Sequence, residues 1–215
     1  MHNGVVADFP AIRRDVTELL AFDAYCNVLG STDSEHAAAL YMTNLTKGGT
    51  KETWQKTYPL DAMRKAMEDT VNQLMELQYR KTGDKRIPNS LNMCTTDGSK
   101  MVAIRFRNHA TQAPPSLYWS EFAGTKLNRK FPGHPDSPNK VNEVAVKGED
   151  ERIGKHTIIA SEPPTYDEKE WHLIGANCAL TVDEKGVERE TRIRYPEKYN
   201  AKDPGYDARV QFVGH

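Results

Sequence analysis

No stretch of this chain is long, apolar and uninterrupted. Its hydrophobic runs stop short of the ~18 residues that a bilayer-spanning helix needs, and it does not open on the charged-then-apolar pattern of a secretory signal. Charge of one sign is lacking too: 29 Lys and Arg face 30 Asp and Glu, so net charge implies neither a nucleic-acid nor an anionic-membrane partner. Cysteine is scarce and odd in number. Cys26, Cys94 and Cys178 lie far apart, which argues against a disulfide framework and suits a reducing compartment. No cysteine pairs with any of the seven histidines at metal-ligand spacing, and there is no Gly-rich phosphate loop, internal repeat or low-complexity tract. The expectation from these absences is a soluble cytoplasmic protein with neither metal nor cofactor. At 215 residues it is long enough for one domain with a sizeable core.

What is present reads as mixed helix and strand. Ile12, Val16, Leu19 and Leu20 recur at helical spacing between Asp8 and Leu20, while Arg13, Arg14 and Asp15 face water. A second helix runs from Asp33 to about Leu45. A third starts at Pro59, carries Leu60, Met63, Met67, Val71 and Leu74 as a core stripe, and stops at Gly83. The period then changes to two. Leu91, Met93 and Thr95 precede an Asp97-Gly98 hairpin turn, and Val102, Ile104 and Phe106 follow it. Arg105 and Arg107 share the opposite face, which reads as solvated rather than as an anion site.

Shorter strands are expected at 116–120, 156–161, 171–174, 177–182 and 187–193. Ser161-Glu162-Pro163 reads as a strand-end turn. The polar stretch about 123–155 reads as a solvated insertion, and 195–215 as an irregular tail.

Two motifs carry chemistry. Asn3-Gly4 offers a side-chain amide donor next to a backbone that can approach a ligand closely, although on its own Asn-Gly reads first as a tight-turn dipeptide. Thr32-Asp33-Ser34-Glu35 has the form of a capping box ahead of Ala37-Ala38-Ala39-Leu40. Alone, it is only a helix start.

Together, His2-Asn3-Gly4, a helix containing Ile12-Arg13-Arg14, and Gly30-Ser31-Thr32-Asp33-Ser34-Glu35 resemble the type-2 glutamine amidotransferase domain of the N-terminal-nucleophile hydrolases. The pattern is most similar to the amidotransferase subunit of the alternative glutathione-degradation complex. Asn92 to Gly98, Leu117-Tyr118-Trp119 and Ile159 to Pro163 add to the likeness, which covers about residues 1–182 and is weakest between Ala123 and Arg152. In the family the strand matching 156–161 lies in the central sheet, which would put Ser161 and Glu162 near the active centre, the alternative to a strand-end turn.

The resemblance implies an α+β fold, a four-layer αββα sandwich incomplete at its N-terminus, with 1–194 as the C-terminal portion of the domain. It also implies a γ-glutamyl amide hydrolase acting on glutathione or a related γ-glutamyl compound, with a metallopeptidase-like partner subunit. Such enzymes attack through a cysteine at the mature N-terminus, whose α-amine moves the proton. Met1 stands before His2-Asn3-Gly4, so the nucleophile is expected upstream and these 215 residues alone are expected to be truncated and inactive. No synthase domain follows within them, which favours hydrolysis over amide transfer.

By motif match Asn3 and Gly4 form the oxyanion hole and Asp33 holds the substrate α-ammonium. A carboxylate in the first turn of a helix, favoured by its dipole, suits that task. A non-catalytic binding or regulatory fragment is the alternative.

Overall fold

The computed structural model describes residues 1–121, 157–165 and 168–202. The insertion expected at about 123–155 lies outside them, as does the tail beyond Lys202. Strand β1 (His2–Val5) leads into helices α1 (Phe9–Leu19), α2 (Phe22–Cys26), α3 (Asp33–Thr46) and α4 (Leu60–Thr82). Seven strands follow: β2 (Ser90–Thr96), β3 (Met101–Arg107), β4 (Tyr118–Ser120), β5 (Ile158–Ala160), β6 (His172–Leu173), β7 (Cys178–Val182) and β8 (Glu188–Arg192).

Helix α4 follows the methionine stripe. Met63, Met67, Val71 and Leu74 are all buried, Pro59 is the N-cap, and Gly83 ends the helix at φ 55, a backbone region that costs glycine least. Helix α1 buries Phe9, Ile12 and Val16, and Leu20 packs against the same core. Leu19 departs from the expected stripe: it lies in the last turn of α1 and is exposed, while the next residue, Leu20, turns back onto the core.

One antiparallel sheet has the order β1-β2-β3-β7-β8, and a second has the order β5-β4-β6. Period-two alternation sorts the side chains of the larger sheet onto two faces. Leu91, Met93, Val102, Ile104 and Phe106 join the core formed with α1, α3 and α4. Ala103, Leu180 and Val182 face the other way and cluster with Trp119 and Ile159 of the smaller sheet and with Leu117 and Ile174, which flank its strands. Among the described residues the layers are therefore helix, sheet and sheet.

Four features differ from the sequence reading. Arg105 is buried, not solvated: its guanidinium crosses between the sheets and donates to the carbonyls of Pro114, Pro115 and Ile174, each at 2.8 Å. The β2–β3 connection is the loop Asp97-Gly98-Ser99-Lys100, with pairing carried out to Thr96 and Met101. Asp97 Oδ1 organises it by accepting from the backbone N–H groups of Ser99 and Lys100, so a two-residue turn is not needed. Helix α2 is too short to produce a periodic signal. Residues 195–202 lack α-helix and strand yet are tied down, since Tyr199 is buried and Arg86 donates to the carbonyls of Lys198, Tyr199 and Asn200.

No helix among the described residues is long and apolar enough to cross a membrane.

Candidate functional site

The two motifs meet at one edge of the larger sheet. Strand β1 pairs with β2 in the register His2↔Met93, Asn3↔Asn92, Gly4↔Leu91 and Val5↔Ser90. Alternation sends the His2 side chain toward α3 and the Asn3 side chain toward the smaller sheet. Each then finds a distant partner.

Asn3 Nδ2 donates to Ser161 Oγ at 2.5 Å, across 158 positions of sequence. Ser161 directly follows β5. The neighbouring Glu162 accepts from Ser116 Oγ at 2.8 Å, and the Ser116 carbonyl accepts from Asn92 Nδ2 at 2.8 Å. Asn92 is 1% exposed and its Oδ1 has no hydrogen-bond partner. A polar cluster thus sits where the two sheets open beside β1. Sequence reasoning favoured a turn role for Ser161, counted Asn92 only toward the family likeness and gave Ser116 no role beyond opening a short strand. For Asn92 a signal existed, a polar amide between Leu91 and Met93 on a strand with two buried faces.

Gly4 has a steric reason to be glycine. A Cβ at this position would lie 2.0 Å from the Ser90 carbonyl oxygen. The close approach of β1 to β2 therefore depends on its absence.

On the other side of β1, the backbone N–H of Val6 donates to Asp33 Oδ2 at 2.8 Å, and the N–H of Ser34 donates to Asp33 Oδ1 at 2.8 Å. His2 Nδ1 lies 2.8 Å from Ser34 Oγ. Burial lowers the pKa of the His2 imidazole, with the Asp33 carboxylate opposing, and its Nε2 is buried without a hydrogen-bond partner. The capping box is present: the N–H of Glu35 donates to Thr32 Oγ1 at 3.3 Å. The Glu35 carboxylate accepts from Thr32 Oγ1 at 3.1 Å and from the N–H of Gly30 at 3.0 Å. Burial alone would raise the Glu35 pKa, but these hydrogen bonds outweigh it and leave the carboxyl below its usual range. The Gly30-Ser31-Thr32 approach is thereby stapled to α3, and α3 presents Asp33 to the end of β1.

A cavity of about 330 Å³ opens beside His2, Ser34, Tyr41, Met67, Met93 and Thr95. Cys94 also borders it, but burial raises the pKa of that thiol; burial and the nearby Glu190 do the same at Cys178. Neither is poised as a thiolate. Asn3 and Gly4 could supply hydrogen bonds to a developing anion, and Asp33 a negative charge for a cation. Among the described residues no cluster of three or more His, Cys, Asp or Glu converges to hold a metal.

Comparison with known proteins bears on the chain as a whole. No family model matches the chain. It is 31% identical over 215 residues to the probable glutamine amidotransferase DUG3 of Saccharomyces cerevisiae, covering 96% of this chain and 54% of that protein. The chain thus spans about half the length of this curated relative. Its fold is similar to that of a glutamine aminotransferase class-II domain protein from Silicibacter pomeroyi, with a TM-score of 0.56 and 21% identity, over 89% of this chain and 66% of that one.

Proposed function

Since the chain carries a glutamine amidotransferase domain related to DUG3, we propose that it serves the hydrolysis of γ-glutamyl amides, with glutathione or a related γ-glutamyl compound as substrate. The observation that carries this reading is the coupling of the two motifs, in which Asp33 accepts from the Val6 N–H just beyond the Asn3-Gly4 pair. One strand and one helix terminus would then serve opposite ends of a γ-glutamyl group.

In this reading a cysteine thiolate attacks the γ-carbonyl carbon, and the carbonyl oxygen takes up the negative charge. The Asn3 side-chain amide and the Gly4 N–H donate to that oxyanion. The C–N bond then breaks as the leaving nitrogen takes a proton, leaving a γ-glutamyl thioester. Water attacks the thioester through a second oxyanion at the same donors, releasing glutamate and restoring the thiol. Asp33 pairs with the α-ammonium, the group that separates γ-glutamyl compounds from other amides. Cys94 and Cys178 are not assigned the nucleophile, because both thiols are held protonated by their surroundings and, like Cys26, lack the free α-amine the mechanism uses.

The same reading includes a four-layer αββα architecture, with the helices and two sheets described above as three of its layers. It also includes a cytoplasmic setting, supported by three free cysteines, and a metallopeptidase-like partner subunit that would take the other product. The backbone hydrogen bond that each Asp33 oxygen accepts favours one other reading, in which Asp33 only joins β1 to α3 and the domain is a non-catalytic binding or regulatory one. Glutamate release from glutathione and glutamine by the full-length protein separates them. Asn3→Ala should lower kcat by about 10²- to 10³-fold, the usual effect of losing an oxyanion donor. Unchanged kcat would refute the catalytic reading.

A further inference from the structure

An oxyanion donor stabilises a transition state only if it is already in place when charge develops, and Asn3 is an exposed residue on a strand with one partner strand among the described residues. Something has to hold its amide. We propose that Ser161 is a positioning residue for Asn3, an assignment that rests on the reading of Asn3 as an oxyanion donor.

The geometry supplies the argument. Nδ2 carries two hydrogens. Ser161 Oγ accepts one at 2.5 Å, which leaves the second to donate while the side chain is kept from swinging into solvent. Ser161 is itself braced from behind. Glu162, next in sequence, is gripped by Ser116 Oγ; the Ser116 carbonyl is gripped by Asn92; and Asn92 is the cross-strand partner of Asn3. The tether therefore closes a ring through β1, β2 and the residues beside β4 and β5, and movement of Asn3 relative to Ser161 would have to break it. Preorganisation of this kind acts on the transition state and not on substrate affinity, so it predicts an effect on kcat with KM unmoved.

The experiment is steady-state kinetics of glutathione hydrolysis by full-length protein carrying Ser161→Ala, Ser161→Thr, Asn3→Ala and the Asn3→Ala/Ser161→Ala pair, each assayed below its melting temperature. Ser161→Ala should lower kcat about tenfold, a fraction of what losing the donor costs, with KM within about twofold. Ser161→Thr keeps the hydroxyl and should recover most of the rate. In the Asn3→Ala background, Ser161→Ala should change kcat less than about twofold, because the group it positions is gone. Additive losses in the double variant, or a KM effect at normal kcat, would overturn the positioning role while leaving Asn3 as a donor. Normal kcat in Asn3→Ala would instead overturn the donor role, and the assignment of Ser161 with it.

Discussion

The backbone N–H of Val6 and the Oδ2 of Asp33 are 2.8 Å apart, and this hydrogen bond makes the end of β1 and the N-terminus of α3 a single unit. The other Asp33 oxygen accepts from Ser34, so the carboxylate bridges two backbone donors. A residue that the motif assigns to substrate thus also carries structure. Substitutions here have to be read for both.

Gly4→Ala tests the closeness of β1 and β2. The new Cβ would clash with the Ser90 carbonyl oxygen, a backbone atom that no rotamer change can move away. Chemical denaturation should show a loss of about 1–3 kcal/mol, the range for overpacking in a tight site. Stability within error of the parent would mean that β1 can shift freely.

Arg105 should be among the least replaceable polar residues. Its three donors satisfy three carbonyls at the junction of the sheets, and Arg105→Ala would leave those acceptors without partners. A loss of about 3 kcal/mol or more is expected from denaturant melts. Arg105→Lys should recover only part of it, since an ammonium lacks the planar fork. Full recovery by lysine would show that charge alone matters.

His2 predicts a pH effect. Its folded pKa lies below the ordinary 6.5, so the folded state disfavours the charged ring. The stabilising contribution is complete above 6.5 and is lost as acidification proceeds through the folded pKa. His2→Asn, which keeps a polar group near Ser34 but cannot titrate, should melt with a shallower dependence on pH between about 7.5 and 5.5 than the parent. Parallel curves for the two proteins would show that His2 is not the group responsible.

Much of the fold was legible because α1 and α4 are long enough to repeat their apolar positions, because α3 opens on the Thr32-to-Glu35 capping box, and because Leu91, Met93, Val102, Ile104 and Phe106 alternate cleanly. What escaped has physical reasons. The five residues of α2 fall below the length at which a helical period can be seen. Arg105 looks like a surface residue in any sequence, because its burial depends on carbonyls from two later segments. Of the candidate site, Asn3, Gly4 and Asp33 were readable as motifs. The bond between Asn3 and Ser161 was not, since it joins β1 to the residue after β5, 158 positions away, and leaves no local pattern.

The central claim is that Asp33 recognises the α-ammonium of a γ-glutamyl group. Asp33→Asn will not be structurally silent, because an amide keeps only one of the two acceptors now used by Val6 and Ser34. The decisive measurement is therefore a ratio: kcat/KM for glutathione over kcat/KM for its desamino analogue, glutaryl-cysteinylglycine, in full-length parent and Asp33→Asn, both below their melting temperatures. Loss of a charge partner predicts that the parent prefers glutathione by about 100-fold and that Asp33→Asn largely abolishes this preference, whatever its overall rate. A ratio unchanged by the substitution would contradict the account and leave Asp33 as the clasp between β1 and α3.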